Sequence, residues 1–278
     1  MENSERLFNG YRRALEGISD DAKKKVNVVY NRAVKELSDN PDMLDRFTGA
    51  LIMLIDQYGS AAATLSADLF DILRDEALGA DGHRVVRSMY ASGSYSAPGY
   101  VATVTSDDLY ERLEKEHGRT IASSMASGLS FGDTLLSLIV ENTIMNEARR
   151  TTEKNIAEDG KCLGYQIIPS GINTCSFCTL QASRGLIRKG DGHGVSEPYH
   201  DHCKCQPYPV WKEPPAWFDT STYDEKYRAA ARALDSGDYS DELKARMAQE
   251  AEAKGKEYTK THRLMAVMRE QNKAVGMK

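Results

Sequence analysis

Thr174-Cys175-Ser176-Phe177-Cys178 and, some 20 residues on, Tyr199-His200-Asp201-His202-Cys203-Lys204-Cys205 decide how the second half of this chain is read. Together they spell C-x2-C followed by H-x2-C-x-C. Gly185, Gly190, Gly192 and Gly194 lie between them and allow the chain to fold back. Two close pairs of soft ligands joined by a foldable loop have the spacing of a tetrahedral zinc site. Cysteines two apart in a tight turn can both face one ion at about 2.3 Å from each sulfur. Residues 185–205 carry few aliphatic side chains, so metal binding would supply folding free energy that a core does not, roughly 10 kcal/mol or more. The expected ligands are Cys175, Cys178 and Cys203, with His200 and Cys205 competing for the fourth place and His202 behind them. Cys162 falls outside the pattern and reads as a buried thiol, and His193 as a loop residue. A redox C-x-x-C or plain thiols are the competing readings; a thioredoxin-like site wants a βαβ context that the sequence does not suggest.

The rest of the chain sets the context. Its 278 residues are 41% hydrophobic and 28% charged with a net charge of -5, an ordinary globular balance that excludes a globally basic nucleic-acid binder. Five cysteines are too few for a disulfide scaffold at this length. The opening Met1-Glu2-Asn3-Ser4-Glu5 carries no export signal, so a reducing compartment is expected. No apolar run approaches the ~18 residues of a membrane helix, so no membrane association is expected.

Upstream, the periodicity is helical. Leu7, Tyr11, Leu15 and Ile18 mark one helix. Asp20 and Asp21 can open a second, with Val26, Val29, Ala33 and Leu37 on one face. Pro41-Asp42 starts a third, in which Leu44, Phe47, Leu51, Leu54, Tyr58, Ala61 and Leu65 alternate by three and four. At about 30 residues this helix would span roughly 45 Å, and Gly59 leaves room for a bend. The stripe is either bundle core or a seam that docks on a partner. Residues 79–105, rich in Gly, Ser and Tyr, read as a linker or long ordered loop. Helix resumes after Ser106-Asp107-Asp108 and again after Asp133. This last helix runs to about Glu153, where Arg149 and Arg150 suit a helix terminus, an anion-facing site or a solvated face.

A short strand is expected around Leu163–Ile168, and extended backbone at Pro207, Pro209, Pro214 and Pro215, flanked by Trp211 and Trp217. A helix from about Thr222 to Leu234 follows. Residues 241–278 lean basic through Lys254, Lys256, Lys260, Arg263, Arg269, Lys273 and Lys278. They read as a solvated helix, or as a tail that contacts DNA or an acidic protein surface. The resulting expectation is an α+β chain. Residues 1–78 form an N-terminal helical region and 106–212 a zinc-stabilised α+β module. Residues 213–278 form a charged helical tail.

No H-E-x-x-H helix, deaminase signature, nucleophile elbow, P-loop or dinucleotide-binding glycine motif is present. The segments Ala148-Arg149-Arg150-Thr151-Thr152-Glu153, Cys175-x2-Cys178 and His200-x2-Cys203-x-Cys205 instead resemble the MuF-like domain of tailed-phage minor head proteins. Cys178-Thr179-Leu180 and Ala182-Ser183-Arg184-Gly185 resemble the form found in phages of actinobacterial hosts. Tyr58-Gly59-Ser60-Ala61-Ala62-Ala63 through Phe70 and Arg74 are similar to that subgroup's N-terminal helical region. The likeness covers about residues 40–75 and 145–212. Asp201-His202 stands where the family has Pro-Asn, and Lys204 where it has Arg, which leaves the ligand set open.

The resemblance implies a minor capsid or head-morphogenesis protein, carried in the virion after assembly in the host cytoplasm. Its partners would be the portal and other head proteins, with DNA as a further contact through the basic tail. It also brings an alternative: a capsid-maturation protease, or a toxin-like transferase or nuclease. In that case Arg150, Glu153 and His193 would be the first residues to test.

Overall fold

The computed structural model describes residues 2–40, 42–83, 119–170, 174–191, 203–255 and 257–274. It is α+β, as expected: mainly helical, with a three-stranded antiparallel sheet. The chain divides into two compact units, one formed by Met1–Leu163 with Gly192–Lys204, the other by Gly164–Asp191 with Cys205–Lys278. The cap expected at residues 106–108 and most of the 79–105 segment lie outside the described residues.

In the first unit, helix α1 (Glu2–Glu36) runs unbroken through Asp20 and Asp21, where a new helix was expected. Its buried stripe, Phe8, Tyr11, Leu15, Ser19, Ala22, Val26, Tyr30 and Ala33, keeps steps of three and four across that point. No packing reason to break the helix therefore arises. The aspartates sit outside the stripe and find partners there: Asp20 pairs with Lys23 at 3.1 Å, and Tyr58 Oη donates to Asp21 at 3.1 Å.

Helix α2 (Met43–Leu78) ends at Gly79, whose φ of 82° is costly for a residue with a Cβ. Its buried face starts as read, with Phe47 and Leu51, and then moves one position on to Ile55, Gly59, Ala62, Ser66, Phe70 and Leu73. Large residues dominate a sequence scan, but here the small ones mark the contact. A Cβ on Gly59 would stand 3.2 Å from Glu147 Cγ on α4, so glycine lets α4 approach closely and α2 passes through it without a break.

Residues 119–126 form helix α3. A 3-10 turn (Phe131–Asp133) leads to α4 (Leu135–Glu158), whose N-cap is Thr134 rather than Asp133 and which runs five residues past the expected end. Helices α1, α2 and α4 pack on one another. Tyr30 packs against Phe47 and Phe131 and donates to Ser124 O at 2.5 Å. Tyr11 Oη and Ser66 Oγ are 2.8 Å apart, and burial pushes the Tyr11 phenol up to about 12.

The second unit holds the sheet, in the order β2-β1-β3. Strand β1 (Gly164–Ile168) is central, between β2 (Ile187–Arg188) and β3 (Gln206–Val210). Gly164 opposes Arg188 on one side and Val210 on the other. A Cβ there would fall 2.0 Å from Ile187 O, so only glycine fits. The extended prolines Pro207 and Pro209 lie in β3, tolerated because β3 is an edge strand. Trp217 packs edge-on against Tyr208 at 5.7 Å, and Trp211 is buried.

Helices α5 (Ser176–Ser183), α6 (Ser221–Ser236), α7 (Asp241–Lys254) and α8 (Lys260–Ala274) complete this unit. The charged C-terminal segment is more than a solvated helix. Leu264, Met265, Ala266, Val267 and Met268 of α8 are buried with Leu180, Ala230, Ala233, Leu243 and Met247.

A buried ion-pair network joins the ends of α2 and α4. Arg74, 2% exposed, donates from Nε to Asp159 at 2.9 Å and from both terminal nitrogens to Asp81 at 2.5 and 3.0 Å. Lys161 reaches Asp81 at 2.5 Å. Removing one member of a buried pair strands the other, so Arg74→Met is expected to lower the free energy of unfolding by about 3–5 kcal/mol in urea denaturation. Arg74 and then Lys161 hold the Asp81 carboxyl well below the usual carboxylate range. The stability it contributes is therefore complete above about pH 4 and lost as pH falls through its folded-state value. In acid titrations, Asp81→Asn should lose less stability than the wild type as pH falls below about 4.

Candidate metal centre

The chemistry of the cysteines begins with the start of α5. Cys175 has extended dihedrals (φ -66°, ψ 163°) and occupies the N-cap, where its Sγ accepts the backbone N–H of Cys178 at 3.3 Å. Its carbonyl accepts from Thr179 N at 2.8 Å. This turn brings Cys178 into the first turn of the helix, where it is buried. Arg269 of α8 donates to Ser176 Oγ at 3.1 Å and steadies the same turn, so one basic residue of the C-terminal segment is a structural partner of α5.

Cys205 directly precedes β3, whose first residue Gln206 is in register with Ile168 of β1. Cys203 stands two residues earlier on the same continuous piece of chain. The sulfurs of Cys178, Cys203 and Cys205 all lie within 4.8 Å of one another, and all three residues are buried. Sulfurs arranged tetrahedrally around one zinc would be about 3.8 Å apart, given a metal–sulfur bond of about 2.3 Å. The cluster is therefore close to coordination distance, and its soft, buried donors suit a thiophilic divalent cation. None of the five cysteines is in a disulfide.

Of the five expected ligands, the structure brings together Cys178, Cys203 and Cys205. Cys175 is half-buried and stands outside that triad. His200 lies outside the described residues, as do His193 and His202. Cys162 is a buried thiol apart from the cluster.

Arg149 is the residue whose role the sequence reading missed. Neither exposed nor at a helix end, it is 2% exposed in the middle of α4. Its Nη1 donates to Asn146 Oδ1 at 2.8 Å and its Nη2 donates to the carbonyl of Cys203. The available signal was spacing, because Met145, Ala148 and Thr152 place position 149 on the edge of a buried face. Arg150 pairs with Glu147 at 3.1 Å, and burial pulls its pKa down.

Residues 2–230 match the family model of the VG15 protein. The chain belongs to the VG15 protein family. It is thereby a phage protein, since that family consists of viral and phage gene products. The matched span of this VG15-family chain contains α1 to α5, all three strands and every cysteine, and it ends inside α6. No curated protein and no solved structure matches the chain. No helix among the described residues is long and apolar enough to cross a membrane.

Cobalt(II) added to the reduced protein should produce sulfur-to-cobalt charge-transfer absorption. Cys178→Ser and Cys205→Ser should abolish or strongly weaken it, whereas Cys162→Ser should leave it unchanged.

Proposed function

We propose that this phage protein is a minor component of the phage head. It takes part in head morphogenesis, associates with the portal and other head proteins, and holds one structural Zn2+ in its cysteine cluster. The observation that carries the reading is a family match that runs through the cysteine motif. Its three buried sulfurs, gathered from two distant turns, support the metal. The resemblance of the same motif to the MuF-like domain supplies the head-assembly role.

In this proposal Cys178, Cys203 and Cys205 are three of the ligands, and Cys175 or His200 completes the four. Zinc would join the two cysteine turns across residues 185–205, which carry few aliphatic side chains, so its role is to make that region rigid. The long helices α1 and α2 offer the extended surface by which a head protein docks on a portal. Basic residues of the C-terminal segment, Lys260, Arg263 and Lys273 among them, would meet DNA or an acidic head protein. Such a contact weakens as salt rises.

Purified procapsids and virions, probed with an antibody to this protein, are expected to contain it in few copies, and co-expressed portal is expected to retain it. Its absence from both particles would sink the head assignment. Metal analysis of the reduced protein should find close to one zinc per chain. Cys178→Ser should lose that zinc together with part of the thermal stability.

A further inference from the structure

The geometry points to Arg149 as a positioning residue of the cysteine metal site, one that orients the Cys203–Cys205 segment and offsets the negative charge of the bound thiolates. This inference rests on the metal-binding reading above. Three thiolates around a divalent ion leave a net charge of -1, and four leave -2. A buried negative charge is costly unless a counter-charge or hydrogen bonds meet it. The Arg149 side chain is almost wholly buried and carries a planar guanidinium cation.

The contact is specific. One terminal nitrogen of Arg149 reaches the carbonyl of Cys203, which belongs to the peptide leading toward Cys205. The other is held by Asn146 one turn earlier on α4, at 2.8 Å. That helix is packed against α1 and α2, so the fork points in a set direction. Fixing the Cys203 carbonyl fixes the rotation of the peptide that follows it, and hence the direction from which the Cys203 and Cys205 sulfurs approach each other. Groups that orient metal ligands without touching the metal commonly change affinity by about 10–100-fold when removed.

The test uses the full-length reduced protein. Zinc affinity is measured by competition with a chromogenic chelator for the wild type, Arg149→Met and Arg149→Lys. Urea unfolding is followed with and without metal. Arg149→Met should bind zinc about 10–100-fold more weakly, and Arg149→Lys, which keeps the charge but lacks the planar fork, should recover part of that loss. The metal-loaded form should be destabilised more than the metal-free form. Equal destabilisation of both forms at wild-type zinc affinity is the result of a merely structural arginine, and it would overturn the inference while leaving the metal site standing. If Arg149→Met does not fold, Arg149→Lys decides, and wild-type affinity in that variant overturns the positioning role. A wild-type protein that binds no zinc would overturn both the metal reading and this inference.

Discussion

Helix α4 is buried along a face that carries charge, and the first unit depends on answering that charge. Glu141, Glu147, Arg149, Thr151, Thr152 and Asn155 are all buried on this one helix. A polar group taken out of water without a partner costs a few kcal/mol, so each contact made by these side chains constrains a neighbour. Lys23 of α1 reaches Glu141 at 2.9 Å. Glu147 lies against Gly59, where a Cβ would stand 3.2 Å from its Cγ and the Glu147 side chain would have to give way. Asn155 donates to Thr151 O within the helix at 2.8 Å, and Asp159, just past the helix end, takes Arg74. The register of α1 and α2 on α4 is thus set by polar pairs as much as by apolar contact.

The same helix bears on the chemistry through Arg149, which holds the backbone at Cys203. A cysteine motif is local and portable, but the direction in which its sulfurs point is not. Cys178 takes its place from the N-cap turn of α5, and Cys205 from the start of β3. Each turn is stabilised independently of any metal: the first by the N–H of Cys178 on Cys175 Sγ, the second by the antiparallel pairing of β3 with β1. This prior ordering reduces the conformational entropy that an ion would have to overcome in gathering its ligands.

Legibility varied with the kind of signal. Strand β1, helix α2 and helix α6 were readable because apolar periodicity and turn residues act locally. The continuity of α1 was not, because Asp20-Asp21 is a good cap sequence, and only a partner stripe on α2 and α4 removes the reason to stop. The C-terminal core was masked by composition: Leu264–Met268 is a five-residue apolar run inside a strongly charged segment. Arg149 was read as a terminal, anion-facing or solvated residue because arginine usually lies at the surface. The buried face that contains it becomes apparent only when α4 is seen to continue to Glu158.

What the amino-acid sequence determined by itself was the α+β class, the long second helix, and the pairing of two cysteine turns as a candidate metal site. These follow from residue type and short-range spacing, which the chain carries wherever it goes. The tertiary structure alone decided that Cys178, Cys203 and Cys205 converge, that Gly59 of α2 lies against Glu147 of α4, and that a buried guanidinium grips the Cys203 carbonyl. Those facts depend on which distant segments share space, and that is settled by packing and by the need to satisfy buried polar groups rather than by local preference.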